Sequence, residues 1–331
     1  MTQDFATAQK TSWSEIPIIS VSALGSSNQS NKEQVASQII DAATISGFFY
    51  VKDHGIAETL IDQAFQASRD FFALPEEKKA TIAVNQDQRG WMAQGLSNLE
   101  GSKTHDAKEV FFWGWDVEAN DPDVAAGLPL VRPNLWPDQV APTLKPDLLP
   151  YYHQVVELGD RLLSAIAVGL GQDSNFFKSR YKKPLTRGQL VFYPPSQLGD
   201  EAVERFGAAA HSDFGALTIL MQDSLGGLQV QNLAGDWIEA PPIPGTFVCN
   251  IGDLLERWTN KRLVSTKHRV INRSNKARFS IPIFYDPSSD AVVDPKEMGI
   301  SEKAAIFPPI TAGEHIASRN KRNFSHYKKR E

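Results

Sequence analysis

The side chains best suited to bind a metal ion are His211 and Asp213, which are separated by a single residue. Side chains two residues apart on an extended strand point to the same face, so both are expected to enter one cavity. A third candidate, His268, lies on the mostly apolar face of a later strand-like segment, as a buried ligand would. Two imidazoles and one carboxylate leave about half of an octahedral coordination sphere open, which is typical of non-haem Fe(II) sites that react with O₂.

A second group of polar side chains, Arg278 and Ser280, is also separated by one residue within an apolar segment. A guanidinium binds a carboxylate through two hydrogen bonds, and a serine hydroxyl adds a donor. Tyr193, at the end of another strand-like segment, can add one more. Fe²⁺, one aspartate and a dianionic 2-oxo acid leave one net negative charge, which Arg278 would neutralise in a cavity of low dielectric. We therefore predict that these three residues bind a co-substrate such as 2-oxoglutarate.

The candidates for a substrate pocket are mainly aromatic and apolar: Arg89, Trp91, Phe112, Val191, Phe214 and Phe307. Apolar walls with a few polar groups suit a small planar or partly apolar molecule. Arg89 can pair with a carboxylate or carbonyl of that molecule. A structural partner for an acidic side chain such as Glu109 is an equally good interpretation of this arginine.

Composition limits the partners of this chain. Its 331 residues carry a formal net charge of −5, which gives no reason to expect nucleic acid or an anionic membrane as a partner. Cys249 is the only cysteine, so no intramolecular disulfide can form, which is consistent with a reducing, cytoplasmic compartment. No apolar run is long enough to cross a bilayer. We expect a small-molecule substrate and a monomer or weak homo-oligomer.

Hydrophobic periodicity divides the chain into a first half rich in helices and a second half of strands. Helical spacing occurs at 31–46, 57–73 and 147–171, with short strands at 16–21 and 47–52. The later strands are expected at 187–193, 216–223, 228–232, 237–240, 246–251, 263–272 and 277–285. This order predicts a mainly β fold with flanking helices, a double-sheet jelly roll with the N-terminal helices packed on one face.

The same patterns divide the chain into five segments. We expect a disordered N-terminus, an N-terminal α/β region, a loop or lid, a helix with the jelly-roll core, and a solvated C-terminal tail. Their boundaries are 1–14, 15–115, 116–146, 147–315 and 316–331.

Short motifs along most of the chain match those of a known family. They are IPII at 16–19, GFFYV at 47–51, HG at 54–55, FFALP at 71–75, RGW at 89–91, YPP at 193–195, HSD at 211–213, GGLQV at 226–230, NIGD at 250–253, HRV at 268–270 and RFS at 278–280. From about residue 16 to 324, the chain resembles the isopenicillin-N-synthase-like family of 2-oxoglutarate/Fe(II)-dependent dioxygenases.

The resemblance implies a distorted double-stranded β-helix, with Fe(II) held by His211, Asp213 and His268. It also implies 2-oxoglutarate at Arg278 and Ser280, and hydroxylation of a C–H bond with O₂, giving succinate and CO₂. Plant members often carry asparagine where this chain has Val191, so its co-substrate pocket is more apolar at that point.

Two other functions remain open at the level of sequence. An oxidase of the same fold uses O₂ without 2-oxoglutarate, and Arg278 and Ser280 would then hold the carboxylate of the substrate. A jelly-roll protein that binds ligands without catalysis is an alternative of another class, although the intact triad argues against it. Succinate formation distinguishes the dioxygenase from the oxidase. Iron titration with measurement of O₂ consumption distinguishes either enzyme from the binding protein.

Overall fold

The computed structural model of the protein describes residues 7–11, 16–97, 104–200 and 203–323. Its helices are α1 Gln29–Ile45, α2 Glu58–Phe72, α3 Glu76–Lys79, α4 Pro122–Ala125, α5 Leu144–Gly169, α6 Asp253–Trp258 and α7 Ala312–Asn323. Among the described residues, none of the helices combines the length and the apolar character that a bilayer span requires.

Within the described ranges, fourteen strands form three sheets: β1 Ile18–Ser20, β2 Phe48–Lys52, β3 Gly90–Met92, β4 Glu109–Gly114, β5 Arg187–Tyr193, β6 Ala208–His211, β7 Leu217–Gln222, β8 Leu228–Gln231, β9 Trp237–Glu239, β10 Thr246–Ile251, β11 His268–Val270, β12 Arg278–Tyr285, β13 Val292–Val293 and β14 Ile310–Thr311. The large sheet has the order β1-β2-β10-β7-β12-β5-β4-β3 and the second sheet the order β6-β11-β8-β9. β13 and β14 pair separately.

Two apolar cores lie on opposite faces of the large sheet, as the alternation along β2 shows. Phe48 and Tyr50 point into a core shared with the second sheet, where β6, β8 and β11 contribute. Phe49 and Val51 point the other way, into a core formed with α1, α2 and α5. Because side chains alternate across a strand, each strand of the large sheet can serve both cores. The jelly roll with helices on one face is confirmed.

Most elements lie where periodicity predicted them. The helices expected at 31–46, 57–73 and 147–171 are α1, α2 and α5, with ends that differ by a few residues. The strands expected at 187–193 and 246–251 are β5 and β10, with the predicted bounds. Strands β3, β4 and β6 were not predicted. The strand expected at 263–272 is reduced to the three residues of β11, whose pairing with β6 shifts register.

The solvated tail expected at 316–331 is wrong for its first part. Residues up to 323 belong to α7, and Ile316 is fully buried against Leu130 and Val131. The rest of the predicted tail lies outside the described residues. The basic side chains of this segment predict a solvated tail, but the burial of its short apolar stripe makes α7 part of the fold.

The segment predicted as a loop is also more ordered than expected, and so are residues 7–11 of the predicted disordered terminus. Residues 1–6 and 12–14 of that terminus lie outside the described residues. Within 116–146, α4 forms a short helix and α5 already begins at Leu144. Of the predicted disordered residues 1–14, Gln9 pairs with β9: its amide donates to the carbonyl of Trp237, and its carbonyl accepts from the amide of Glu239. The remaining boundaries of the five segments stay predictions.

Candidate active site

His211, Asp213 and His268 converge at the end of the second sheet. His211 ends β6, and His268 begins β11 directly opposite it in the antiparallel pair. Asp213 follows in the loop after β6, with its Oδ1 3.9 Å from His211 Nε2 and 3.7 Å from His268 Nε2. The ligand atoms of the three residues lie within 4.8 Å of one another. The structure therefore brings together the three residues that spacing predicted, around a point that one metal ion can occupy.

Hydrogen bonds hold all three side chains in the orientation that a metal requires. His211 Nδ1 lies 2.7 Å from the carbonyl of Ala209 and His268 Nδ1 3.3 Å from that of Thr266, so Nδ1–H donates and Nε2 keeps its lone pair. Asp213 Oδ2 accepts from Thr218 Oγ1 at 2.5 Å and from Asn250 Nδ2 at 2.7 Å. Its Oδ1 remains for the metal. Such supporting contacts fix the tautomer and the direction of metal ligands.

The electrostatics of the site favour the protonation states that bind metal. Burial, with the neighbouring His268, lowers the pKa of His211 to about 4, so this imidazole is neutral at neutral pH. Burial alone would raise the pKa of Asp213, but the two histidines and the donors Thr218 and Asn250 hold it below its ordinary value. An ionised carboxylate beside a neutral imidazole is a donor set for a divalent cation.

Arg278 lies deep in the same cavity, on β12 opposite Tyr193 of β5. It is 1% exposed, and its guanidinium carbon lies 4.7 Å from the centre of the Tyr193 ring. Its Nε donates to the carbonyl of Gly226 at 2.5 Å and its Nη2 to Gln222 Oε1 at 3.2 Å. Among the described residues nothing accepts from Nη1, although it is buried. A carboxylate of a co-substrate would satisfy this donor, and Ser280 lines the same inner cavity.

A recess adjoins the inner cavity and shares His211 and Asp213 with it. Phe112 and Phe214 form apolar walls of this adjoining recess, together with Met92. Polar side chains complete it: Gln88, Lys108, Arg187, Gln189 and Asn320. His211 and Asp213 thus border a space with a mixed apolar and polar lining.

Two family models match the chain. Residues 16–139 match the N-terminal model of non-haem dioxygenase in morphine synthesis, and residues 176–287 match the 2OG-Fe(II) oxygenase superfamily. The chain belongs to the 2-oxoglutarate/Fe(II)-dependent dioxygenases. It is an oxidoreductase whose cofactor is Fe(II) and whose co-substrate is 2-oxoglutarate, as the triad and Arg278 already indicated.

Relatives of this dioxygenase include a homoarginine-6-hydroxylase from Glycine max, 35% identical over 331 residues, 95% of this chain and 98% of that protein. A 1-aminocyclopropane-1-carboxylate oxidase from Dictyostelium discoideum is 32% identical over 310 residues, 84% of this chain and 83% of that protein. Among solved structures, Neurospora crassa T7H in complex with alpha-ketoglutarate and thymine has a TM-score of 0.81 and 29% identity. That match covers 92% of this chain and 96% of the T7H chain.

Three of the six substrate-pocket candidates of the dioxygenase lie at its cavities and three do not. Phe112 and Phe214 line the adjoining recess, and Val191 lines the inner cavity beside Ser280. Arg89, Trp91 and Phe307 line neither.

The prediction that Arg89 binds substrate is not supported by its position. Its buried guanidinium donates to the backbone carbonyls of Asp87, Gln88 and Leu130. Glu109, the acidic partner considered from sequence, instead accepts from Trp91 Nε1 at 2.9 Å and from Lys79. The candidate Phe307 lies under the guanidinium of Arg257, away from the cavities. Arg89 and Trp91 thus support the structure around the recess without facing it.

Sequence reasoning missed several polar residues of the adjoining recess. Arg187 and Gln189 share a strand face with Val191 and Tyr193, so the two-residue period already identified them. Lys108 directly precedes β4, which was not predicted. Asn320 comes from α7, and no pattern linked this helix to the site.

Proposed function

We propose that His211, Asp213 and His268 bind the Fe(II) of this dioxygenase and that Arg278 binds the distal carboxylate of 2-oxoglutarate. One observation carries the assignment. Asp213 Oδ1 and two imidazole Nε2 atoms converge in the cavity in which the buried Nη1 of Arg278 lacks a partner among the described residues. The donor set thus fits both the metal and a dianionic co-substrate.

The enzyme would hydroxylate a C–H bond of a small molecule held in the adjoining recess. Bound Fe(II) supplies the redox chemistry that couples O₂ reduction to decarboxylation of 2-oxoglutarate, giving succinate and CO₂. The triad would hold the ion through three protein atoms, Arg278 would fix the co-substrate, and Phe112 and Phe214 would shield the space beside Asp213 from water. Relatives named for homoarginine hydroxylation and crystallised with thymine support a small substrate with a carbonyl or carboxylate group.

The alternative that the sequence left open is oxidation with O₂ but without 2-oxoglutarate. One relative is named as an oxidase, the 1-aminocyclopropane-1-carboxylate oxidase, and its name does not mention 2-oxoglutarate. In that case Arg278 and Ser280 would hold the carboxylate of the substrate itself. Similar structures that were solved with bound 2-oxoglutarate favour the first function.

The metal assignment is tested with single-ligand variants. His211→Ala or Asp213→Ala removes one ligand of the ion, so we expect loss of Fe(II) binding in an anaerobic titration and loss of succinate formation. Either variant with wild-type iron affinity and activity would refute the assignment. Iron binding without O₂ consumption in the wild type would instead point to a catalytically silent binding protein.

The co-substrate assignment is tested with Arg278→Lys, which keeps the charge but loses the two-pronged geometry. We expect the KM for 2-oxoglutarate to rise at least roughly tenfold, equivalent to about 1.4 kcal/mol. Arg180→Lys is the control, because Arg180 pairs with Glu297 and lines neither the inner cavity nor the adjoining recess. An unchanged KM for 2-oxoglutarate with a raised KM for the substrate would favour the oxidase.

A further inference from the structure

Three polar residues of the adjoining recess form one hydrogen-bonded group with Asp286. It is here called the Arg187 cluster: Arg187, Asp286, Gln88 and Asn320. Arg187 Nη2 donates to Asp286 Oδ2 at 2.8 Å, and its Nη1 donates to Gln88 Oε1 at 3.3 Å. Asn320 Nδ2 donates to the same Gln88 oxygen at 2.9 Å. All four side chains are buried, and all but Asp286 line the recess. The catalytic triad requires none of these contacts.

One donor of the cluster is left over. Arg187 Nε is buried and has no acceptor among the described residues, while both Nη atoms are engaged. A buried N–H without an acceptor is unfavourable, so a ligand oxygen at this point would be stabilising. Arg187 lines the recess beside His211 and Asp213. The missing acceptor can therefore be an oxygen atom of a molecule bound next to the metal position.

The charges around the recess are already paired. Asp286 is fully buried, where its Oδ2 accepts from Arg187 and its Oδ1 accepts from the amide of Ala216 at 2.8 Å. The second cation of the recess, Lys108, lies 3.0 Å from Asp106, which is also buried. An anionic ligand would therefore add an uncompensated charge to a buried site, which is costly. A neutral carbonyl oxygen would use the free donor without that cost.

The backbone at Gln88 supports a role in binding. Gln88 has a φ of 54°, a left-handed conformation that is uncommon outside glycine. Arg89 stabilises it by donating to the carbonyls of Asp87 and Gln88, and Asn85 Oδ1 accepts from the amides of Asp87 and Arg89. Arg89 thus holds the turn that brings the Gln88 amide to Arg187.

We propose that the Arg187 cluster recognises the carbonyl oxygen of a neutral, planar substrate, such as an aromatic or heterocyclic amide or imide. Arg187 Nε donates to that oxygen, and Gln88 and Asn320 fix the guanidinium. The aromatic rings of Phe112, Phe214 and Phe284 line the same recess and suit a flat molecule. The proposal rests on the proposed function, because it places the substrate beside the Fe(II) ligands.

The test uses isosteric pairs of flat probes that differ only in charge, such as benzamide and benzoate or their heterocyclic counterparts. Binding to the enzyme loaded with Mn(II) and 2-oxoglutarate is measured by calorimetry, and succinate formation is measured separately with Fe(II). We expect the wild type to bind amides more tightly than the matching carboxylates. The reverse order would overturn the proposal. Failure of the proposed function would appear differently, as absence of succinate with every probe.

Asp286→Asn provides the decisive variant, because it leaves the charge of Arg187 unpaired while keeping side-chain size. We expect the ratio of carboxylate to amide affinity to rise at least roughly tenfold. A loss of structure alone would weaken both probes equally and leave the ratio unchanged, and an unchanged ratio in a folded variant would contradict the proposal. Asp121→Asn is the matched control, since Asp121 pairs with Lys183 outside the recess.

Thermal melting verifies that the Asp286 variant folds. If it does not, Gln88→Leu replaces it. This change removes the acceptor that orients Arg187, so we expect a higher KM for amide substrates with little change in kcat. Equal amide affinity in Gln88→Leu and the wild type would overturn the proposed role of the cluster.

Discussion

Asp213 shows how one residue can serve the metal only because others restrain it. One carboxylate oxygen faces the two histidines, and the other accepts from Thr218 and Asn250. A carboxylate without these donors would rotate and present either oxygen. The two donors therefore reduce the entropy that metal binding would otherwise cost.

Removing one of these donors tests that view. In Thr218→Val the shape is kept and the hydroxyl is lost, so we expect Fe(II) affinity to fall roughly 10–100-fold. An anaerobic titration with Fe(II) measures the effect. Thr81→Val, at an exposed threonine that bonds to the carbonyl of Lys78, is the control and should bind iron as the wild type does. Wild-type affinity in the Thr218 variant would show that Asp213 needs no such restraint.

Arg89 is expected to contribute to the stability of the fold rather than to substrate binding. Arg89→Ala leaves the carbonyls of Asp87, Gln88 and Leu130 without the donor they share. We expect the free energy of unfolding to fall by about 2 kcal/mol or more, because hydrogen bonds from a charged donor are lost in a buried site. Urea unfolding measures this change. The same substitution at exposed Arg69 should have almost no effect, and equal losses at both sites would contradict a structural role for Arg89.

At the scale of elements, the start of α6 fixes the loop that carries Asp213. The amide of Asp253 donates to the carbonyl of Asp213 at 2.7 Å, and the amide of Leu254 donates to that of Gly215 at 2.9 Å. Gly252 makes this approach possible, because a Cβ there would lie 2.3 Å from the carbonyl oxygen of Gly215. The backbone of α6 thus packs directly against the backbone of the loop that carries Asp213, here called the metal loop.

Gly252→Ala should therefore disturb the metal site although residue 252 is not a ligand. We expect the added methyl group to push the loop outward, weakening Fe(II) binding and lowering the melting temperature. Gly25→Ala is the matched control, because a Cβ at Gly25 meets nothing within 4 Å. Calorimetric melting and iron titration of both variants measure the difference. Iron affinity equal to that of the control would mean that α6 does not position Asp213.

The sequence predicted those elements whose pattern is local. The alternation in β5 and β10 and the long apolar stripe of α5 located them well, and the spacing of His211 and Asp213 located the metal site. Strand β6 was missed because its three alanines and one histidine carry no alternation. The partners of Arg89 were not predictable from local pattern either, since Leu130 approaches it only in the folded chain.

At the scale of the whole molecule, helix α7, the most C-terminal helix of the described residues, contacts the recess. Helix α7 packs Ile316 against Leu130 and Leu185, and its Asn320 reaches Gln88 in the recess. Arg319 of the same helix pairs with Asp253 at 2.7 Å, next to the metal loop. The residues that line the adjoining recess therefore come from the first half of the chain, the jelly roll and the C-terminal helix together. Helix α7 has few apolar residues, so its sequence does not predict that it packs against the fold. Its basic residues instead predicted a solvated tail.

The burial of α7 gives a prediction for the stability of the whole fold. Ile316→Ala leaves a cavity between α7 and the 128–131 segment, so we expect the free energy of unfolding to fall by about 2–4 kcal/mol. Ile306→Ala, the same change at a residue that is 59% exposed, should stay within about 0.5 kcal/mol. Urea unfolding followed by tryptophan fluorescence and by circular dichroism measures both variants. If the two transitions coincide and shift together in the Ile316 variant, α7 unfolds with the jelly roll. A loss of unfolding free energy no larger than that of the control would instead support the prediction of a solvated tail.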